Sequence, residues 1–155
     1  DDGFELAKLV DTDGRIEVTI NGTNFLKNDE VRDVSAPDEV TDVLGTFGRP
    51  EWIVNMSADY IIGELVVGWR GRYEGSQLLP GLENQDIESD PDFISQTHTG
   101  SALVHDFSVS YTFEDSLEVY GGINNAFEED PYLGTLSRPA GPRGRFFYLG
   151  VNYTM

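Results

Sequence analysis

Gly144-Arg145-Phe146-Phe147-Tyr148-Leu149-Gly150-Val151-Asn152-Tyr153-Thr154-Met155 closes the chain, and its reading decides the fold. With period two, Phe147, Leu149, Val151, Tyr153 and Met155 share one side. Phe146, Tyr148, Gly150, Asn152 and Thr154 share the other. A strand sends successive side chains to opposite faces, so this segment has one apolar wall and one mixed, mostly polar wall. A last strand with an aromatic-rich outer row suits a transmembrane barrel, in which that strand closes the sheet against the first.

The bulk composition is neutral between that reading and a soluble protein. At 155 residues the chain fits one domain. The net charge of -18 and pI of 4.1 exclude a nucleic-acid partner, because a phosphate backbone would be repelled. Without cysteine there is no disulfide framework and no thiolate metal site. No apolar run approaches the roughly 18 residues of a membrane helix. Spanning strands need only about 9–11 residues and alternate with polar ones, so a mean hydropathy of -0.33 does not exclude them. The sequence starts at Asp1 with no initiator Met, so a processed chain or a piece of a longer one is expected.

Strand patterning recurs upstream. Residues 4–10 form a short candidate strand, stopped by the turn signal Asp11-Thr12-Asp13-Gly14. From Arg15 to Leu26, Ile16, Val18, Ile20 and Gly22 alternate with Glu17, Thr19, Asn21 and Thr23. Residues 29–50 lose the pattern and read as a long acidic loop. Trp52, Val54, Met56, Ala58 and Tyr60 then alternate with Ile53, Asn55, Ser57 and Asp59. A short turn at Ile62-Gly63 leads to Leu65, Val67, Trp69, Gly71 and Tyr73, set against Glu64, Val66, Gly68, Arg70, Arg72 and Glu74. Residues 77–101 form a second long loop with no Lys or Arg. Phe107, Val109, Tyr111 and Phe113 next oppose Asp106, Ser108, Ser110 and Thr112. After a two-residue turn at Glu114-Asp115, Leu117, Val119, Gly121 and Ile123 oppose Glu118, Tyr120, Gly122 and Asn124. A third long loop fills 125–143. No helical period persists, so the chain reads as all-β with about seven antiparallel strands.

Connections alternate short and long, the up-and-down pattern of outer-membrane barrels, with short turns at one end. Trp52, Tyr60, Tyr73, Phe113 and Tyr153 at strand ends would form aromatic girdles. The alternative is a soluble lipocalin-like barrel, in which the apolar rows would point inward.

Val104 to Phe113, Leu117 to Pro131 and Gly144 to Tyr153 together resemble the C-terminal end of TonB-dependent outer-membrane receptors. In that family the penultimate strand runs into an Asn-x-Phe segment followed by Pro, and the last strand opens with Gly-Arg and ends in an aromatic. Asn125, Phe127 and Pro131 match the first pattern; Gly144, Arg145 and Tyr153 match the second. The lead-in Gly48-Arg49-Pro50-Glu51-Trp52 resembles the family's Pro-x-Trp strand start. Met155 stands where family members usually end in Phe. The resemblance covers the whole chain but is carried mostly by its last fifty residues. It implies residues 1–155 as the C-terminal third of a barrel of about 22 strands, with the plug domain and the earlier strands outside the sequence. It further implies the outer membrane of a Gram-negative bacterium and the import of a scarce extracellular solute such as a siderophore, cobalamin or saccharide. The implied partners are the remaining strands and plug, the TonB complex through that plug, and outer-membrane lipid and lipopolysaccharide.

No enzyme is expected. His98 and His105 are the only histidines. His105 and Asp106 are neighbours on a strand and point to opposite faces, so they form no catalytic pair. Asp86, Glu88, Asp90 and Asp92 alternate along one loop, a weak Ca²⁺ candidate that lacks the glycine and distal glutamate of an EF-hand; a solvated acidic loop is the plainer reading. No other cofactor is implied. Glu17, Asp59, Glu64, Arg70, Arg72, Glu74, Asp106 and Glu118 make a row of mixed sign. Such a row lines a transport path or holds a plug, or its members pair across strands within the wall. A second function class is a small self-standing outer-membrane barrel acting as an adhesin or structural module through its acidic loops.

The same alternation predicts which side chains face lipid: Trp52, Val54, Met56, Leu65, Val67, Trp69, Phe107, Val109, Tyr111, Leu117, Val119, Phe147, Leu149 and Val151. The short turns are expected on the periplasmic side and the loops 29–50, 77–101 and 126–143 outside the cell. Strands 4–10 and 146–155 are expected to pair with further polypeptide, since lipid leaves no other partner for their free backbone groups.

Overall fold

Alternation becomes one antiparallel sheet. The computed structural model describes residues 14–31, 33–79, 82, 97–114, 116–130 and 144–154. The strands are β1 (Arg15–Asn24), β2 (Asp29–Val31), β3 (Val40–Asp42), β4 (Trp52–Ile62), β5 (Leu65–Glu74), β6 (Ala102–Phe113), β7 (Leu117–Asn124) and β8 (Phe146–Tyr153). Six of them join in the order β1-β4-β5-β6-β7-β8, so each long strand lies beside its sequence neighbour. The protein is all-β and antiparallel. The expected strand at 4–10 lies outside the described residues. Within them the sheet is open: β1 and β8 are its two edges.

Register carries the apolar rows from strand to strand. Ile16 pairs with Tyr60, Val18 with Ala58 and Ile20 with Met56. Tyr60 then meets Val67, and Ala58 meets Trp69. Val67 faces Val109 and Trp69 faces Phe107. Tyr111 pairs with Val119 and Phe107 with Ile123; Val119 meets Val151 and Ile123 meets Phe147. Because side chains alternate, these pairings place every row on one face of the sheet. That face is bare. Leu149 is 81% exposed, Phe147 70% and Ile20 66%. Among the described residues only Val43 and Val104 are buried hydrophobics, and neither lies on this face.

Short connections gather at one end. Gly63 and Glu64 link the paired residues Ile62 and Leu65, with Gly63 at φ 54, a left-handed turn position open to glycine. The expected turn at Ile62-Gly63 is therefore displaced by one residue, and Glu64 belongs to the turn rather than to the strand row. Its carbonyl accepts the Thr112 N–H at 3.1 Å. Between Phe113 and Leu117 the turn has three residues, not two. Glu114 takes φ 48 and the Ser116 N–H donates to the Phe113 carbonyl at 3.1 Å. Ser116 is the extra residue that keeps Leu117 in phase with Phe113.

The other end holds the long loops. The 29–50 stretch, expected to lack strands, contains the β2–β3 hairpin. Strands of three residues are too short for alternation to reveal them. Asp33 starts the reversal by accepting the Ser35 N–H at 2.8 Å and its hydroxyl at 2.6 Å. Asp42 ends it, accepting the N–H groups of Leu44 (3.0 Å) and Asn28 (3.2 Å). Val43 beyond it is fully buried. Leu78 bridges Thr46 in parallel and His98 antiparallel, tying three loop segments together. Gln77, 3% exposed, accepts the Gly48 N–H at 2.6 Å through its side-chain oxygen.

Candidate functional site

The face opposite the apolar rows carries the polar chemistry, and register divides it in two. Over β1, β4 and β5 it is charged. Glu17 pairs with Asp59, and Arg70 sits between Ser57 and Asp106. Arg70 reaches diagonally to Asp59 in a two-pronged contact, Nη1–Oδ1 at 2.7 Å and Nη2–Oδ2 at 2.9 Å. It crosses Gly68, where a Cβ would come 2.7 Å from Asp59 Oδ1 and 2.6 Å from Ser108 Oγ. The glycine thus makes room for the ion pair. Glu17 is held by Arg15 at 3.0 Å. Arg72 lies in register with Asn55 and Val104. Glu74 is buried and accepts from Gln77 Nε2 at 3.4 Å. So the mixed-sign residues Glu17, Asp59, Arg70, Arg72, Glu74, Asp106 and Glu118 share this face, while Glu64 sits in its turn.

Over β6, β7 and β8 the same face changes character. Its rows read Thr112–Glu118–Asn152, Ser110–Tyr120–Gly150 and Ser108–Gly122–Tyr148. Tyr120 leans across Gly150, its Cε1 2.8 Å from where a Cβ would stand. Tyr148 leans the opposite way across Gly122, its Cζ at 2.7 Å. The two rings lie 6.4 Å apart and tilt at 53°. Each covers a glycine on the neighbouring strand, as aromatics do beside bare backbone in sheets. Glu118 Oε2 accepts Asn152 Nδ2 at 2.9 Å. Thr112, Ser116, Glu118, Val151, Asn152, Tyr153 and Thr154 line an open hollow of about 670 Å³ at the short-turn end of the sheet.

The residues singled out by resemblance converge at the long-loop end of β7. Asn125, 6% exposed and at φ 50, closes a turn with its side chain. Its Oδ1 accepts the Glu129 N–H at 2.8 Å and its Nδ2 donates to the Glu129 carbonyl at 2.9 Å. Its own N–H donates to Asp106 Oδ1 at 2.7 Å. Arg145, next to Gly144, pairs with Glu128 at 3.1 Å. Phe127 folds back onto the apolar face, edge-on to His105 at 4.9 Å and Phe107 at 6.1 Å. His105 in turn accepts the Trp69 indole N–H on Nδ1 at 3.0 Å, which makes Nε2 the protonated nitrogen of the neutral ring. His105 and Asp106 therefore face opposite ways. Tyr153 lies apart, near the short turns. Pro131 and the loop carboxylates Asp86, Glu88, Asp90 and Asp92 lie outside the described residues. Among the described residues no group of three or more His, Asp or Glu could hold a metal ion.

Among the described residues, three groups in and around the β2–β3 hairpin have shifted ionisation. Ser35 hydrogen bonds hold Asp33 below the usual carboxylate range. The N–H groups of Leu44 and Asn28 do the same for Asp42. A hydrogen bond to Asp29 raises Lys27. The sequence reading missed the tyrosine–glycine crossings, the Gln77 tie and the Trp69–His105 bond. Each links residues far apart in sequence, and only the ladder register reveals them. Comparisons with protein-family models, curated proteins and solved structures find no match.

Proposed function

We propose that this chain forms part of the barrel wall of a TonB-dependent outer-membrane transporter, with the apolar face toward lipid and the polar face toward the transport path. One observation carries the reading: six adjacent strands expose a continuous apolar face while charge, hydroxyls and amides collect on the reverse. In water such a face would cost about 25 cal/mol for every Å² left exposed. In hydrocarbon it is the ordinary outer surface of a barrel. Short turns at one end and knitted loops at the other fit periplasmic and external sides. Asn125, Phe127 and Arg145 add support by forming one structural unit at the place where the resemblance is strongest. On this reading further strands complete the barrel beyond β1 and β8, and a plug fills its lumen.

The test is expression of the whole gene product in a Gram-negative host. It should sediment with the outer membrane and migrate differently on SDS gels before and after boiling. Uptake of a labelled panel of ferric siderophores, cobalamin and oligosaccharides is then compared in cells with and without TonB. At least one solute should enter only when both the protein and TonB are present. Recovery in the soluble fraction, or solute entry indifferent to TonB, would overturn the proposal.

A further inference from the structure

We propose that the small cavity at the long-loop end of β1 and β4 is a binding site for a free α-amino acid with one apolar side chain. The side chain fills the cavity, and the Arg49–Glu30 ion pair beside it holds the carboxylate and the ammonium group. The lining comes wholly from residues between Phe25 and Ile53, so the inference stands apart from the transporter reading.

The frame of the cavity is fixed by backbone bonds. Phe25, Leu44, Pro50 and Ile53 form its apolar walls, Asn28 and Arg49 its polar ones, and Gly48 completes the lining. The Phe25 N–H donates to the Glu51 carbonyl at 2.9 Å, and the Val43 N–H to the Asn28 carbonyl at 2.8 Å. Arg49 is held at both backbone groups: its N–H donates to the Thr46 carbonyl and its carbonyl accepts the Gly45 N–H, each at 2.8 Å. The Gln77 side chain holds the Gly48 N–H from the other side. Ile53 stands in register between Thr23 and Glu74, so the cavity reaches inside the β1 edge of the sheet. Its volume is about 130 Å³. An apolar cavity of roughly 150 Å³ accepts benzene, so this space suits one ring or one branched alkyl group and nothing larger.

Charge selects what that group is attached to. Residues 25–53 hold seven acidic and three basic residues, a balance that repels a lone anion. A lone cation meets the Arg49 guanidinium in the lining. A wholly apolar molecule would cover that guanidinium and the Asn28 amide and leave their hydrogen bonds unmade. What remains is a zwitterion. Arg49 and Glu30 lie 3.2 Å apart, with side chains 39% and 42% exposed. An α-amino acid carries the opposite pair of charges next to one carbon, so its carboxylate can face Arg49 while its ammonium faces Glu30. Neither partner is used up, since a guanidinium has five N–H donors and a carboxylate two acceptor oxygens. Asn28 spends its backbone N–H on Asp42 at 3.2 Å and its carbonyl on Val43, and its side-chain amide is left for the ligand.

The purified whole gene product would be titrated calorimetrically with leucine, phenylalanine, glycine, phenethylamine and phenylacetate. Leucine or phenylalanine, or both, should bind. Glycine lacks the apolar group, and phenethylamine and phenylacetate each lack one charge. All three should bind at least about tenfold more weakly than the better of the two amino acids. Arg49→Gln and Glu30→Gln should each weaken binding about tenfold, the loss of one charge-assisted hydrogen bond. Their ion pair is exposed to solvent, so both variants should keep the fold. Leu44→Trp, which fills the cavity, should abolish binding. Glu17→Gln, on β1 opposite Asp59 and away from the cavity, should change nothing. Circular dichroism of each variant checks its strand content. Failure of both amino acids to bind would overturn the site. So would equal binding of phenethylamine or phenylacetate, or binding indifferent to both Arg49→Gln and Glu30→Gln.

Discussion

The two halves of the polar face use glycine for opposite ends. In the charged half, Gly68 leaves a gap that an ion pair crosses, Arg70 to Asp59. In the tyrosine half, Gly122 and Gly150 leave gaps that rings from the next strand cover. The first arrangement spends a glycine on a long, movable side chain. The second uses two to fix flat surfaces in place. One sheet thus carries a region of adjustable charge beside a region of fixed shape.

Behind both halves lies the same apolar face, and its disturbance should have the largest effect. Val67 is in the middle of that face, between Tyr60 and Val109. Val67→Arg should cost about 2–4 kcal/mol if lipid lies outside. Val66→Arg, one residue away on the polar face, should cost less than about 1 kcal/mol. The pair shares a strand and differs only in direction. Equal losses in unfolding experiments in detergent or lipid would refute the assignment of faces.

Glycine replacements come next and separate the halves. At Gly122 an added Cβ falls on the backbone carbonyl oxygen of Phe107, and backbone cannot swing aside. Gly122→Ala should therefore cost about 2–3 kcal/mol, the upper part of the overpacking range. At Gly68 the three atoms nearest the Cβ are side-chain ends, Ser108 Oγ, Asp59 Oδ1 and Arg70 Nη1. Those can move, so Gly68→Ala should cost about 1 kcal/mol, mostly through the displaced ion pair. A reversed order of the two midpoints would show that the tyrosine half is the more pliable.

The ion pair itself should matter less. Arg70 is half exposed in its side chain, with Asp59 at 23%. Solvent screens such pairs, so Asp59→Asn should cost about 0.2–1 kcal/mol and lose its effect in high salt. A loss well beyond that range would mean that Asp59 bears on more than its arginine.

These contrasts mark what the sequence could disclose. Alternation made the apolar rows legible strand by strand, because a half-buried sheet needs residues i and i+2 to match. The short turn at Gly63 was legible within one residue. The Asp59–Arg70 contact was not, because a diagonal pair depends on the register of two strands rather than on either alone. Tyr120 over Gly150 was hidden for the same reason. Asn125 stood out only by resemblance; its role as a turn-closing amide follows from bonds to Glu129 and Asp106 that no spacing announces.

The smallest expected effect lies beyond both halves, in the hairpin of β2 and β3. Asp42 accepts two backbone N–H groups, from Leu44 and Asn28, and these hydrogen bonds lower its ionisation range in the folded chain. A carboxylate whose folded value is depressed stabilises the fold fully above its unfolded value, about 3.9 for Asp. That contribution fades as pH falls through the folded value. Asp33, lowered by Ser35, has the same sign and window. Acidification from neutrality should leave the hairpin unchanged until roughly pH 4, then loosen it while the strands of the large sheet hold. Hydrogen exchange read at Leu44 and Val43 N–H, corrected for intrinsic rates, would follow the change, with strands β5 and β6 as the internal reference. Asp42→Asn keeps an acceptor oxygen but removes the charge. It should weaken protection at neutral pH and flatten the acid dependence. If protection in the variant still fell steeply near pH 4, the hairpin's acid sensitivity would belong to a different carboxylate.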